Sequence, residues 1–492
     1  MIQRPHVDWF LLAPVNALLA ASAICLLGAV LFPREARRAA TAAVCAAGFV
    51  TAFAFAVLLF IKSPVPHQDI GAAVIRDRWG ALSTMLVAGS GLLTVLLSAR
   101  ERMKNDHIGE YFALLAAAGG GMAFLGMSFN LITLFLALEW FSICLYVLCA
   151  IGERERSLES GLKYLIIGSF GSAVLLFGLA LVYGATGELN FQAIADSTTA
   201  NGLRDDALLV AGLAMILTGL GFKASAAPFH QWTPDVYEGA PTPVTAFMSA
   251  ATKTVALVLM LRLLTTAFPQ EARLWTYAIA AIACASLAIG NIAALVQNNV
   301  KRILAYSSVS HAGFMLIAVA ANNALGARAL MYYLIPYCAM SIGAFAVLAA
   351  RERELRRAVT IDNLGGVYGW ERPFLGWSLA LFMFGFIGFP FSGAFWGKFY
   401  VFAAAWDRNW IWLIIVGVAA TAISLYYYLG IIRALFMRPT SNVRLAPAGG
   451  SPPREWLLQS CVLLCVGVTV GSFVFVGPLI DVARHAAASL PL

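Results

Sequence analysis

Apolar side chains in this chain gather into long unbroken runs, separated by short polar stretches. The runs fall at roughly 9–32, 39–61, 79–98, 110–127, 129–151, 160–184, 207–229, 242–265, 275–298, 301–321, 327–350, 374–406, 410–437 and 456–478. A helix apolar on every side over about 20 residues spans the ~30 Å of hydrocarbon in a bilayer. Barrel strands are shorter and alternate in polarity, and backbone in lipid must satisfy its own hydrogen bonds. The pattern therefore predicts an all-α polytopic membrane protein of about fourteen transmembrane helices. An even number of crossings places both termini on one side.

Composition agrees, with 61% hydrophobic and 12% charged residues and a mean hydropathy of +0.81. Soluble domains hold about 45–50% and 25% respectively. The formal charge of +8 does not point to nucleic acid, because the basic residues sit in loops between apolar runs with no interleaved aromatics. They report topology instead. Of the 33 lysines and arginines, 18 lie in one set of alternate loops and nine in the other set with the tails, which predicts both termini outside the cytoplasm. The eight cysteines lie in apolar runs without CxxC spacing, so neither a disulfide framework nor a metal or iron–sulfur site is indicated. The first run lacks a cleavage site and reads as a retained helix. Gly119, Gly120 and Gly121 suit close helix packing and not a phosphate cradle.

Two apolar runs carry a proline among glycines and small residues, Pro228 and Pro390. They lie five helices apart, an odd offset that reverses the second relative to the first, as expected of inverted repeats with broken helices. Ionisable residues inside such runs are expensive, and each is a functional candidate. Glu139 stands mid-run with Ser142 and Tyr146 near the same face, and Lys223, Lys253 and Lys398 lie in runs, with Lys163 near the start of one. Burial disfavours a charge on any of them and an opposite charge favours it, a balance that can be switched. Lys223 precedes Pro228 by five residues and Lys398 follows Pro390 by eight, so both sit beside backbone that a proline leaves unbonded. His230 and His311 could relay protons near neutral pH.

The segments FKASAAPFHQWTPDVYEGAPTPVTAF (222–247), NNVKRILAYSSVSHAGF (298–314), ESGLKYL (159–165) and GAFWGKFYVF (393–402) closely resemble the N-subunit family of bacterial respiratory complex I. That family also takes in the L and M subunits and the large Mrp-type antiporter subunits. The resemblance covers most of the chain. It implies N-terminal helices over 1–109, a first inverted five-helix repeat over 110–274, a second over 275–437 and a last helix over 438–492, with helices 7 and 12 broken. It also implies proton translocation through Glu139 as partner of Lys223, then Lys253, His311 and Lys398, with Lys163 at the start of helix six. No redox cofactor is implied for this chain. The implied partners are M-like and K-like membrane subunits in a bacterial plasma membrane, with a stand-alone or Mrp-type antiporter and a non-pumping scaffold as the alternative functions. Where the family commonly reads Gly-Ile-Pro-Pro-Thr-Ala-Gly-Phe, this chain reads Gly388-Phe389-Pro390-Phe391-Ser392-Gly393-Ala394-Phe395, without the second proline.

Overall fold

A computed structural model describes residues 7–101, 107–152, 154–364, 368–437 and 455–492. Arg4, His6, Arg102, Lys104, Arg438, Arg444 and Arg454 lie outside them. The chain opens with α1 (Ala13–Leu31) and α2 (Arg34–Lys62), a hairpin of β1 (His67–Asp69) with β2 (Val74–Arg76), then α3 (Arg78–Ser98), α4 (Ile108–Met127), α5 (Leu131–Ala150) and α6 (Glu155–Thr186). The next crossing is broken. It comprises α8 (Ala207–Lys223) and α9 (Trp232–Gly239), reached through the surface helix α7 (Phe191–Ala200). A further crossing joins α10 (Thr242–Phe247), a π-helical turn (Met248–Thr252) and α11 (Lys253–Ala267). After α12 (Ala272–Leu295), α13 (Val300–Ala321) and α14 (Ala324–Leu355) come two short turns, α15 (Ile361–Leu364) and α16 (Tyr368–Glu371). The second broken crossing is α17 (Pro373–Ile387) with α18 (Gly393–Asp407), followed by α19 (Ile411–Phe436), α20 (Trp456–Val474) and α21 (Val476–Ala487).

Among the described residues, twelve helical stretches are long and apolar enough to cross a bilayer unaided. With the two broken crossings they make the expected fourteen. The hairpin and α7 occupy segments expected as loops. Pro336 lies inside α14 and does not break it.

Contacts between loops sort them onto two faces. On one, Arg302 pairs with Asp235 and Glu238, and Arg353 with Glu101 and Glu455. On the other, Arg76 pairs with Asp8, Asn190 bonds Ala72, Gln270 bonds Thr199 and Asn323 bonds Asp407. The first set comprises the arginine-rich loops, so the charge alternation read along the chain is a real two-sidedness.

Burial orders the bundle. The crossing of α10 and α11 is buried along its whole apolar window, and α13 and α14 nearly so, whereas only a third of the residues in the windows of α2, α19 and α20 are buried. In lipid no hydrophobic force drives helices together, so close approach through small residues supplies the packing. A Cβ on Gly290 of α12 would stand 2.7 Å from the Ser310 backbone nitrogen of α13 and 2.9 Å from the Tyr306 carbonyl oxygen. Gly290→Ala is expected to lower the thermal stability of the purified protein by about 1–3 kcal/mol through overpacking. Gly184→Ala, which meets nothing within 4 Å, should leave the melting curve in place and serves as its control.

Candidate functional site

Helix α8 stops at Lys223, earlier than the apolar run predicts. Beyond it Ala224, Ser225 and Ala226 fold back to donate to Leu220, Phe222 and Gly221 carbonyls, with Ser225 at φ +59° and a cis Ala227–Pro228 bond. A lysine at the end of a half-helix is thereby held at membrane depth, 2% exposed. Its ammonium donates to Ser142 Oγ at 2.8 Å. The rings of Phe141, Tyr146, Tyr164 and Phe222 lie 5.5–5.7 Å from Nζ, close enough for cation–π attraction.

Glu139 is half-buried one turn before Ser142 on α5. It accepts the Ser172 hydroxyl and forms no direct ion pair with Lys223, although its charge reaches the lysine. In this conformation the ammonium meets Ser142, whose own hydroxyl donates to the Leu138 carbonyl, and the carboxylate meets Ser172, so the two implied partners have separate hydrogen-bond contacts.

Lys253 follows directly on the π-helical turn, a local widening that often marks a functional position. It is fully buried and donates to Ser308 Oγ on α13. Ser308 in turn meets the Tyr337 hydroxyl of α14 at 3.0 Å. Among the described residues no carboxylate pairs with this ammonium. His230, in the break after α8, is buried with Nδ1 unpartnered and lies within electrostatic reach of Lys253.

His311 stands one turn beyond Ser308, with Nδ1 2.8 Å from the Tyr333 hydroxyl and Nε2 3.2 Å from that of Tyr428. Tyr428 also bonds Ser307. A side branch runs from Ser310 through Asn291 to Tyr427, each link 2.9 Å.

The second break needs no second proline. Gly388 and Phe391 both take left-handed backbone, at φ +87° and +84°, and Pro390 separates them. Ending α17 leaves its last carbonyls free, and Lys398 reaches back from α18 to fill them, donating to Phe386 O at 3.0 Å and Ile387 O at 2.8 Å. Its ammonium also lies 4.5 Å from the Phe314 ring centroid. The broken helix thus builds the lysine's own cradle, consistent with irregular backbone at depth being tolerated where it is buried in protein.

Lys163 stands apart from this line. Its side chain is 41% exposed at the arginine-rich face, 2.8 Å from Glu159 and 3.0 Å from Asp235. Asp235 is also held by Arg302 at 2.6 Å, so Lys163 and Arg302 share one carboxylate. The sequence reading passed over Tyr333, Tyr337 and Tyr428, although the Ser308–His311 and Tyr333–Tyr337 spacings of three and four are helical-face spacings. It also passed over a buried ion pair. Arg262 of α11 grips both Asp77 oxygens at 2.7 Å and bonds the Gly126 carbonyl at 2.6 Å, and Asp77 itself caps α3 through the Gly80 nitrogen.

Ammonium, hydroxyl, imidazole and carboxylate groups thus line the middle of the bundle from α5 to α18. Every one can accept or release a proton or, for the hydroxyls, pass one along. Among the described residues no three His, Cys, Asp or Glu side chains converge as a metal would require.

The pattern of the family described as NADH:quinone oxidoreductase/Mrp antiporter, TM, matches residues 128–424. NADH-quinone oxidoreductase subunit N of Salinibacter ruber is 39% identical over 82% of this chain and 81% of its own. Subunit N 2 of Roseiflexus castenholzii is 36% identical over 98% and 97%. Among solved structures, a chain of respiratory complex I from Thermus thermophilus superposes with a TM-score of 0.80 at 31% identity, covering 95% of this chain and 98% of that one. A chain of the Mrp complex from Dietzia sp. shares the fold, with a TM-score of 0.83 at 21% identity over 97% of each.

Proposed function

This chain belongs to the NADH:quinone oxidoreductase/Mrp antiporter transmembrane family, and from that premise we propose that it is the proton-translocating, N-type membrane-arm subunit of a NADH-quinone oxidoreductase. Other membrane-arm subunits are its partners. Electron transfer takes place in those partners, and this chain carries no redox cofactor of its own.

The observation that carries the reading is the buried polar line itself. A subunit serving only as scaffold gains nothing from Lys223, Lys253 and Lys398 sunk in the bundle, each of which is expensive there. In the proposed cycle a change in the partner subunits shifts the packing around one break. An ammonium that loses its hydroxyl or carbonyl contact releases its proton to the next group, and re-forming the contact restores it, a change of population in which no bond other than those to protons is made. Glu139, Lys223, Lys253, His311 and Lys398 are the groups that hold protons, and Ser142, Ser308, Tyr337, Tyr333 and Tyr428 carry them between. Lys163 tunes the arginine-rich mouth through Asp235.

The inverted repeats are assigned to 110–274 and 275–437, supported by two breaks five crossings apart with a lysine at each. Both termini are assigned to the outer side of a bacterial plasma membrane, supported by the loop charge, and M-like and K-like subunits are the expected neighbours. Exchange of sodium for protons by a free-standing antiporter falls behind this reading, because relatives 36–39% identical to this chain carry N-subunit names, whereas the Mrp chain is 21% identical.

The assignment is tested in the assembled enzyme reconstituted into sealed vesicles. Lys223→Ala should reduce the protons moved per electron pair while the quinone-reductase turnover of uncoupled vesicles persists. An undiminished proton ratio would count against the mechanism.

A further inference from the structure

One charged cleft takes no part in the proton line. It has a volume of about 230 Å³ and lies at the arginine-rich face, between the start of α6, the joint of α9 with α10, and the end of α14. Six basic side chains and three carboxylates line it. The carboxylates are already bound, Glu101 by Arg353 at 2.8 Å, Glu238 by Arg302 at 3.1 Å and Glu352 by Lys301 at 3.4 Å. Arg154, Arg156, Arg356 and Arg357 remain, all exposed, and their side chains make no hydrogen bond or ion pair to any described residue. Four guanidinium groups round one cleft repel one another and leave a local excess of positive charge. Their planar forks match phosphate and carboxylate oxygens bidentately.

The position of the cleft says where such a phosphate comes from. Arg154 is the N-cap of α6 and Arg356 the C-cap of α14, so the arginines stand where spanning helices end, at headgroup level. From that point α6 exposes Leu158, Leu162, Leu165 and Ile166, between 44% and 61% uncovered. Their spacing of four, three and one makes a single stripe running down into the hydrocarbon. A free phosphate or an acidic peptide would make no use of it.

We propose that this cleft binds the headgroup phosphate of an acidic phospholipid of the adjoining leaflet, the four arginines holding the phosphate and the α6 stripe carrying the acyl chains. Basic pockets between helix ends on the cytoplasmic side are suited to anionic headgroups, where each basic residue strengthens attraction to the lipid.

The experiment uses the full chain with its co-purifying subunits, stripped of lipid in detergent and titrated with phosphatidylglycerol, phosphatidylcholine or inorganic phosphate, with bound lipid counted by mass spectrometry. Saturable phosphatidylglycerol binding is expected, against which phosphatidylcholine and millimolar phosphate compete poorly. The R154Q/R156Q/R356Q/R357Q variant should bind it far more weakly, by roughly fivefold per arginine removed, and the matching fourfold Arg→Lys variant, which keeps the charge but loses the fork, should bind with an affinity between that of the parent and that of the Gln variant. Should the fourfold Gln variant not assemble, R154Q/R156Q and R356Q/R357Q separately, each expected to weaken binding by about an order of magnitude or more, carry the same decision. The proposal is overturned if the Gln variants retain as much lipid as the parent, or if inorganic phosphate displaces the lipid as readily as lipid displaces itself. It is equally overturned if the variants lose a neighbouring subunit while their lipid count is unchanged, which would mark the cleft as a protein-docking site.

Discussion

Lys253→Met is expected to slow proton translocation by the assembled enzyme roughly a hundredfold or more along this subunit's route, the scale associated with removing a positioned proton-transfer group. The same substitution is expected to raise the thermal stability of the chain. Lys253 is fully buried, its ammonium is held by the Ser308 hydroxyl, and no carboxylate among the described residues neutralises it. Taking a cation out of water without a counter-ion costs several kcal/mol, whereas a methionine of similar length fills the same volume without that cost. Ser308 keeps its contact with Tyr337, so little is left unsatisfied. A gain of about 1–3 kcal/mol is the expected size, read as an upward shift of the unfolding transition. Lys253→Arg separates charge from titration. A guanidinium keeps the positive charge but does not release its proton in proteins. The arginine variant should therefore pump as poorly as the methionine one, and recovered pumping would show that the charge alone, not its coming and going, is what the site needs.

Arg262→Ala should do the reverse, destabilising the chain by about 3–5 kcal/mol, because breaking one side of a buried pair leaves the other charge stranded. Arg262 and Asp77 are almost completely inaccessible. Removing the guanidinium frees both Asp77 oxygens and the Gly126 carbonyl at once. Replacing both partners, as Asp77→Leu with Arg262→Met, removes the stranded charge and should restore much of the loss. A remainder of about 1–3 kcal/mol is expected from the lost cap on the Gly80 nitrogen of α3 and from the Gly126 carbonyl left without its donor. Thermal unfolding of Asp77→Leu, Arg262→Met and the double variant completes the cycle. Double-variant damage equal to the sum of the two singles would mean that the residues do not act as a pair. The clamp also has a functional side, since it ties α11, whose first residue is Lys253, to the start of α3, outside the proposed repeats, and to the end of α4.

Much of this architecture was legible before any coordinates. Glu139, Lys223, Lys253 and Lys398 stood out because each interrupts an apolar run, and the structure buries the three lysines and half-buries the glutamate. Pro228 and Pro390 marked both breaks. Phe391 shows a limit of motif reading, since the break forms without the second proline because Gly388 and Phe391 supply the turn. Arg262 shows another. It lay in plain view inside an apolar run, but its significance depends on Asp77, far away in sequence.

What the sequence determined by itself is what composition and one-dimensional spacing can carry: that the solvent is lipid, how many helices cross it, which loops share a face, and which ionisable groups are too expensive to be there by accident. Only the tertiary structure decided who touches whom. Ser142 lies 81 residues from Lys223, Ser308 55 from Lys253, Tyr428 117 from His311 and Asp77 185 from Arg262. The reason is physical. In lipid, apolarity does not single out one helix partner from another, and a serine or threonine in a helix can satisfy itself on the carbonyl four residues back, as Thr254, Thr265 and Ser286 do here. A hydroxyl therefore carries no local sign of its role, and close packing through small residues alone selects the few that face a buried lysine.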